Sequence, residues 1–277
     1  MTSTLDPAAT PNLAAVKLRQ QQAWASGDVA VVAARVVLVA EHLVDTADLH
    51  AGWRVLDVAT GSGNAAIAAA RLGCEAVGVD YVPALLERGR ERAAAEGLDV
   101  ELLEGDAEAL PFEDASFDAV TSVFGSMFAT NHSRTAAELL RVTRAGGTIA
   151  LASWTPDGFN AELARTVAAH VPPPAGIASP LLWGTEEHLR RLFGEGIRSL
   201  AVEERTFSYR FRSAEEFVAF FRQWNGPTQK TFAALEAEGR AALQQDLVAL
   251  ARRFDRLGSG GAVAIPWTYT EAVAVTR

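Results

Sequence analysis

Three aspartates, Asp57, Asp80 and Asp106, each close a short apolar run, and between the first two lies the turn Thr60-Gly61-Ser62-Gly63, followed by Asn64-Ala65-Ala66. Glycine reaches backbone angles closed to other residues and lets the main chain come close to a ligand. A glycine turn that opens a helix therefore makes a cradle of backbone amides. The pattern Gly61-x-Gly63-x-x-Ala66 also satisfies the dinucleotide signature, with Asp80 as the ribose acceptor, so a nicotinamide oxidoreductase is one reading of the residues. Asp57 argues the other way: beside a pyrophosphate a carboxylate adds repulsion, whereas beside an amino group or a sulfonium it helps. Nor does the chain hold a Tyr-x-x-x-Lys pair, because Tyr81, Tyr209 and Tyr269 are followed four places on by Leu85, Ser213 and Val273. Plainer roles stand beside each of these: Asp80 as a helix cap, Asp106 as a turn former, Tyr81 and Phe124 as core aromatics.

Other chemistries lose ground on composition. Cys74 is the only cysteine, and His42, His50, His170 and His188 are isolated, so no metal site is expected. The net charge is −9 with scattered basic residues, which disfavours nucleic acid as a partner. Only Lys17 and Lys230 are lysines, and neither sits in a motif. No apolar window approaches the roughly 18 residues of a membrane span, and residues 1–10 are polar, so neither membrane nor export is expected and the address read is cytoplasmic. A monomer or homodimer is expected.

The elements that hold these residues read clearly. Apolar runs at 54–59, 75–80, 100–106, 117–124 and 147–154 alternate with helical stretches that end at glycine, the sign of a parallel sheet covered on both faces. The expected fold is α/β and doubly wound. Residues 1–12 read as a disordered tail, and 13–277 as a single domain that begins with helices over 13–50, two of them, broken at Ser26-Gly27-Asp28. Two late strands, from Ser199 and from Ala264, are separated by a helical insertion at 213–257.

VLDVATGSGNAA at 55–66, GVD at 78–80, GDAEALPF at 105–112, FDAVTSVF at 117–124 and LLRVTRAGGTIALASW at 139–154 together resemble a class I S-adenosylmethionine-dependent methyltransferase of the ubiquinone and menaquinone C-methyltransferase type. The likeness covers about residues 20 to 155. It implies a Rossmann-like seven-stranded sheet, mostly parallel with an antiparallel C-terminal strand, and a cofactor-binding core at 51–155. It also implies S-adenosylmethionine as cofactor and methyl transfer to a small, partly apolar acceptor by in-line displacement. By the same resemblance Asp57, Thr60, Gly61, Ser62 and Gly63 face the methionine end, and Asp80 takes the ribose hydroxyls. Tyr81 lies against the adenine, Asp106 and Ala107 read its edge, and Phe124 closes its other face. A cofactor-binding regulator or cyclase that transfers no methyl is a further reading.

His132, just after the fourth strand run, has the pKa of a general base and is the catalytic candidate, with a solvated residue beside an Asn131 or Ser133 helix cap as the alternative. The insertion carries Phe217, Phe220, Phe221 and Trp224 at helical spacing. Phe217 and Phe221 read as core, and Trp224, with Phe128 and Trp183, as the lining of an acceptor pocket over which the insertion closes as a lid.

Overall fold

The computed structural model describes residues 12–174, 176–258 and 260–277. The expected tail lies, as far as residue 11, outside the described residues. Asn12 caps the first helix by accepting the Ala15 amide at 3.1 Å.

Seven strands form one sheet: β1 (Arg54–Val58), β2 (Glu75–Asp80), β3 (Val100–Glu104), β4 (Phe117–Val123), β5 (Thr143–Trp154), β6 (Ile197–Phe211) and β7 (Val263–Thr276). Their order is β3-β2-β1-β4-β5-β7-β6, with β7 antiparallel to both its neighbours. The fold expected from the sequence is the one observed. β1 and β2 are buried along almost their whole length, which is why they read as unbroken apolar runs. β5 starts at Thr143 rather than Gly147, pairing with Phe117 before a register shift restores the ladder at Ala119 and Thr148.

Between β1 and β5 the crossovers are α4 (Asn64–Arg71), α5 (Pro83–Ala95) and α6 (His132–Val142). Ahead of them, α1 (Leu13–Trp24), α2 (Val29–Ala33) and α3 (Val37–Thr46) replace the two helices expected. A tight 3₁₀ turn at Ala34–Val36, within a valine-rich stretch of low helix propensity, splits the second one. The split lets α3 pack on α4 and under β4 and β5, while α2 reaches α5.

After β5 come α7 (Gly158–His170) and α8 (Glu186–Phe193), and between β6 and β7 lie α9 (Ala214–Trp224), α10 (Gly226–Ala233) and α11 (Ala237–Arg253). β6 and β7 stay paired from Ile197 and Thr276 to Phe211 and Val263, but β5 leaves β7 at Trp154 and Tyr269. A two-stranded ribbon therefore projects past the carboxyl edge of the sheet, carrying α9 to α11. The insertion also meets the N-terminal helices. α10 packs on α1 and α9 on α2, and Gly27 bridges to Asn225. A Cβ on Gly226 would run into the carbonyl oxygens of Ala23 and Ser26, so glycine alone permits this contact.

Candidate active site

The strand order reverses between β1 and β4, and in open α/β sheets that switch point is where ligands bind. Backbone strain gathers there: Ala59, just past β1, and Phe124, just past β4, both hold left-handed angles (φ 54° and 53°) that side chains disfavour. Gly61 (φ 57°) and Gly63 (φ 83°) complete the turn, and Gly63 caps α4 in the left-handed conformation. Arg92 of α5, which sequence reasoning missed, pins this turn by donating to the Ser62 carbonyl at 2.6 Å and to Asn64 Oδ1 at 2.7 Å.

Asp57 is buried beneath the turn. Its carboxylate accepts from the Thr60 hydroxyl at 2.6 Å, the Thr121 hydroxyl at 3.0 Å and the Ala66 amide at 3.3 Å. Burial pushes its pKa up to about 6, and those three hydrogen bonds restrain the rise. Asp80, at the end of β2, takes the Val82 amide on one oxygen and the Gly61 amide on the other, each at 2.9 Å. It too is raised to about 6 by burial. Each Asp80 oxygen keeps a lone pair for a further donor.

The loop after β3 is held from two sides. Arg141 of α6 donates to the carbonyls of Leu110 and Phe112 and pairs with Glu138 and Asp114. From the other side Lys17 of α1 pairs with Asp106 at 2.6 Å and with Glu108 at 2.7 Å. Gln21 donates to the Tyr81 carbonyl at 2.5 Å, and Trp24 meets the Phe128 ring edge-on with centroids 5.1 Å apart. Lys17, Gln21 and Trp24 sit three and four places apart on one face of α1; that spacing was the signal available in the sequence.

The glycine turn, Asp57, Asp80, Asp106, Lys17 and Trp24 open onto one cavity of about 790 Å³. All the expected cofactor residues line it except Gly63: Asp57, Thr60, Gly61, Ser62, Asp80, Tyr81, Asp106, Ala107 and Phe124. Phe124 has one ring face stacked on Trp154 at 3.6 Å. The wall continues past Phe128 to α7, to the ribbon and to the insertion.

Three of the expected residues lie elsewhere. His132 does not line the cavity; as the first residue of α6 it is buried with its ring against Trp183 and His188. Arg191 can only donate, so at 2.5 Å it makes His188 Nδ1 an acceptor and leaves the His188 proton on Nε2, which donates to His132 Nδ1 at 2.9 Å. Burial, then the nearby His188, pull His132 down to about 4, so the ring is neutral and already hydrogen-bonded. Trp183 is fully buried beside that pair and does not line the cavity. Trp224 is half-buried on α9 and is also off the wall, whereas Phe217 and Phe221, read from sequence as core, are on it. Which side of α9 meets the cavity is fixed by its docking on β6, α2 and α11, and helical spacing alone carries no trace of that choice.

An uncharacterized protein of Mycobacterium tuberculosis is 38% identical to this chain over 259 residues, 92% of this chain and 93% of its own length. The family described as Methyltransferase domain matches residues 56–151, from β1 to β5. The demethylmenaquinone methyltransferase of Deinococcus radiodurans is 40% identical over 131 residues, 46% of this chain and 54% of that protein. This chain belongs to the S-adenosylmethionine-dependent methyltransferases. The methyltransferase fold is met again in the YcgJ protein of Bacillus subtilis, at a TM-score of 0.59 and 19% identity over 86% of this chain and 98% of that one. The charges of this methyltransferase suit its family's cofactor: among the described residues Asp57, Asp80, Asp106 and Glu108 line the cavity against one cation, Lys17, which is already paired with two of them. Such a wall favours a cationic ligand and opposes a pyrophosphate.

Proposed function

We propose that this chain transfers a methyl group from S-adenosylmethionine to a small, partly apolar acceptor held in the far part of the cavity. The observation that carries the reading is the continuity of one cavity from the acidic strand ends to an apolar chamber. Bound at the strand ends, the cofactor would supply a methyl on a cationic sulfur, a leaving group that needs no activation by the protein. The residues would act by holding and covering. Asp80 would accept the ribose hydroxyls on its two spare lone pairs, and the Thr60–Gly63 backbone with Asp57 below would hold the amino-acid end. Tyr81 and Phe124 would flank the adenine, with Asp106 and the Ala107 backbone at its edge. Phe128 and the insertion would keep water from the methyl group and bring the acceptor into line with it. His132 has no part in this reading, because it does not reach the cavity. A cytoplasmic setting stays with the proposal; among the described residues no helix is long and apolar enough to cross a membrane.

The test is calorimetric titration with S-adenosylmethionine. Charged hydrogen bonds contribute about 1.5–3 kcal/mol each, and ~1.4 kcal/mol is tenfold in affinity. Asp80→Ala should therefore weaken binding by about ten- to a hundredfold. Unchanged affinity in a folded Asp80→Ala protein would remove the ribose assignment, and absence of binding to the unaltered protein would remove the reading.

A further inference from the structure

The far part of the cavity has a chemistry of its own. Among the described residues, every Asp, Glu and Lys on the cavity wall belongs to the strand ends, their loops or α1, and no His, Cys or Arg lines any of it. Past Phe128 the wall is built from such residues as Leu163, Val167, Phe217, Phe221 and Trp267. The projecting ribbon puts two hydrogen-bond donors there, the Tyr209 hydroxyl and the Trp267 indole N–H, and α7 adds the unpartnered Oδ1 of Asn160. Tyr209 of β6 lines the cavity, is only 3% exposed, and packs against Phe221 and Trp267 with ring centroids at 5.4 and 5.0 Å. Among the described residues its hydroxyl makes no hydrogen bond. The ring is buried, but the hydroxyl opens on the cavity, so it stays free to donate to whatever occupies the chamber. Burial raises the Tyr209 pKa well above that of a free phenol, so the group stays an O–H donor at any ordinary pH.

We propose that Tyr209 is the specificity-determining residue of the acceptor chamber: its hydroxyl donates to an oxygen of an uncharged, lipophilic acceptor. This rests on the methyltransferase reading for the word acceptor, but the recognition itself does not need the cofactor. A carboxylate or an ammonium placed there would lose its water and find no opposite charge. An uncharged ring compound would bury its surface against the aromatic wall and accept the hydrogen bond that Tyr209 offers.

Four naphthalenes of similar size form the probe set: 2-acetylnaphthalene, 2-ethylnaphthalene, 2-naphthoate and 2-(aminomethyl)naphthalene. Their binding is read from tryptophan fluorescence, with S-adenosylhomocysteine present and absent. The ketone should bind about three- to tenfold more tightly than the hydrocarbon, the usual size of one net hydrogen bond, and both should bind at least about tenfold more tightly than either ion. In Tyr209→Phe the gap between ketone and hydrocarbon should close while the hydrocarbon keeps its affinity. A merely structural Tyr209 would instead weaken both alike, and that result, an unchanged gap, or an ion that binds as tightly as the ketone would overturn the proposal. S-adenosylhomocysteine titrated alone separates the two readings: its failure to bind would remove the methyltransferase assignment and leave the naphthalene comparison intact.

Discussion

Asp57 and Asp80 are carboxylates that the fold buries although their charged forms are the useful ones. Both pKa values rise from 3.8 to about 6, so the native state holds protons that the unfolded chain has already released. Their contribution to stability is therefore complete below pH 3.8 and is lost as pH rises through about 6. Under the proposed function cofactor binding has the opposite slope, because the ribose hydroxyls would donate to an ionised Asp80. Affinity for S-adenosylhomocysteine should fall about tenfold between pH 7 and pH 5, the drop in the ionised fraction of one group near pH 6. In Asp80→Asn most of that slope should vanish; a slope of equal size would place the titrating group elsewhere. His132 adds nothing in this range, since its pKa of about 4 keeps it neutral. The residues that line the cavity at the strand ends were legible in the sequence because each stands at the end of its own strand or in the turn beyond, so finding the strands found them. The fate of His132 was not legible: its partners, His188 and Trp183, come from segments more than forty residues away, and no local pattern announces them.

Among the elements, α1 does most with least sequence signal. It carries little amphipathic pattern, yet Lys17, Gln21 and Trp24 fasten it across the loop after β3, the start of α5 and the Phe128 turn. Lys17 is partly exposed, and pairs of that kind are individually worth about 0.2–1 kcal/mol. Lys17→Met should accordingly release S-adenosylhomocysteine about two- to fivefold faster, with faster amide exchange over 13–24 and none in β1 or β4. Unaltered release in stopped flow would mean that α1 does not cover the cofactor. The parallel strands β1, β2 and β4 were easy to read, being largely apolar and buried, whereas the path of α9 to α11 was not. The aromatic face of α9 is wide enough to dock in more than one rotation, and contacts with α2 and α11 select the one that turns Phe217 and Phe221 toward the cavity.

At the scale of the whole molecule, the chamber is closed by two parts of the chain that lie far apart in sequence. The N-terminal helices and the insertion meet where Gly27 bridges Asn225 and where Gly226 lies against the backbone of Ala23 and Ser26. A methyl group added there has backbone for a neighbour, and overpacking of this kind costs about 1–3 kcal/mol. Gly226→Ala should loosen both sides together, so that exchange quickens over 13–33 as well as 226–233 while the strands keep their protection. A change confined to α10 would show that the two parts move separately. The contact also bears on how acceptor preference is inherited and engineered. A chimera that takes only 213–257 from a relative would set a foreign wall against a seam cut for another partner, and its first defect would be a poorly joined cover instead of a new preference. A transplanted specificity therefore has to carry 13–46 and 213–257 together, along with the ribbon position of Tyr209, and substitutions that retune it should arise as compensated sets across that seam.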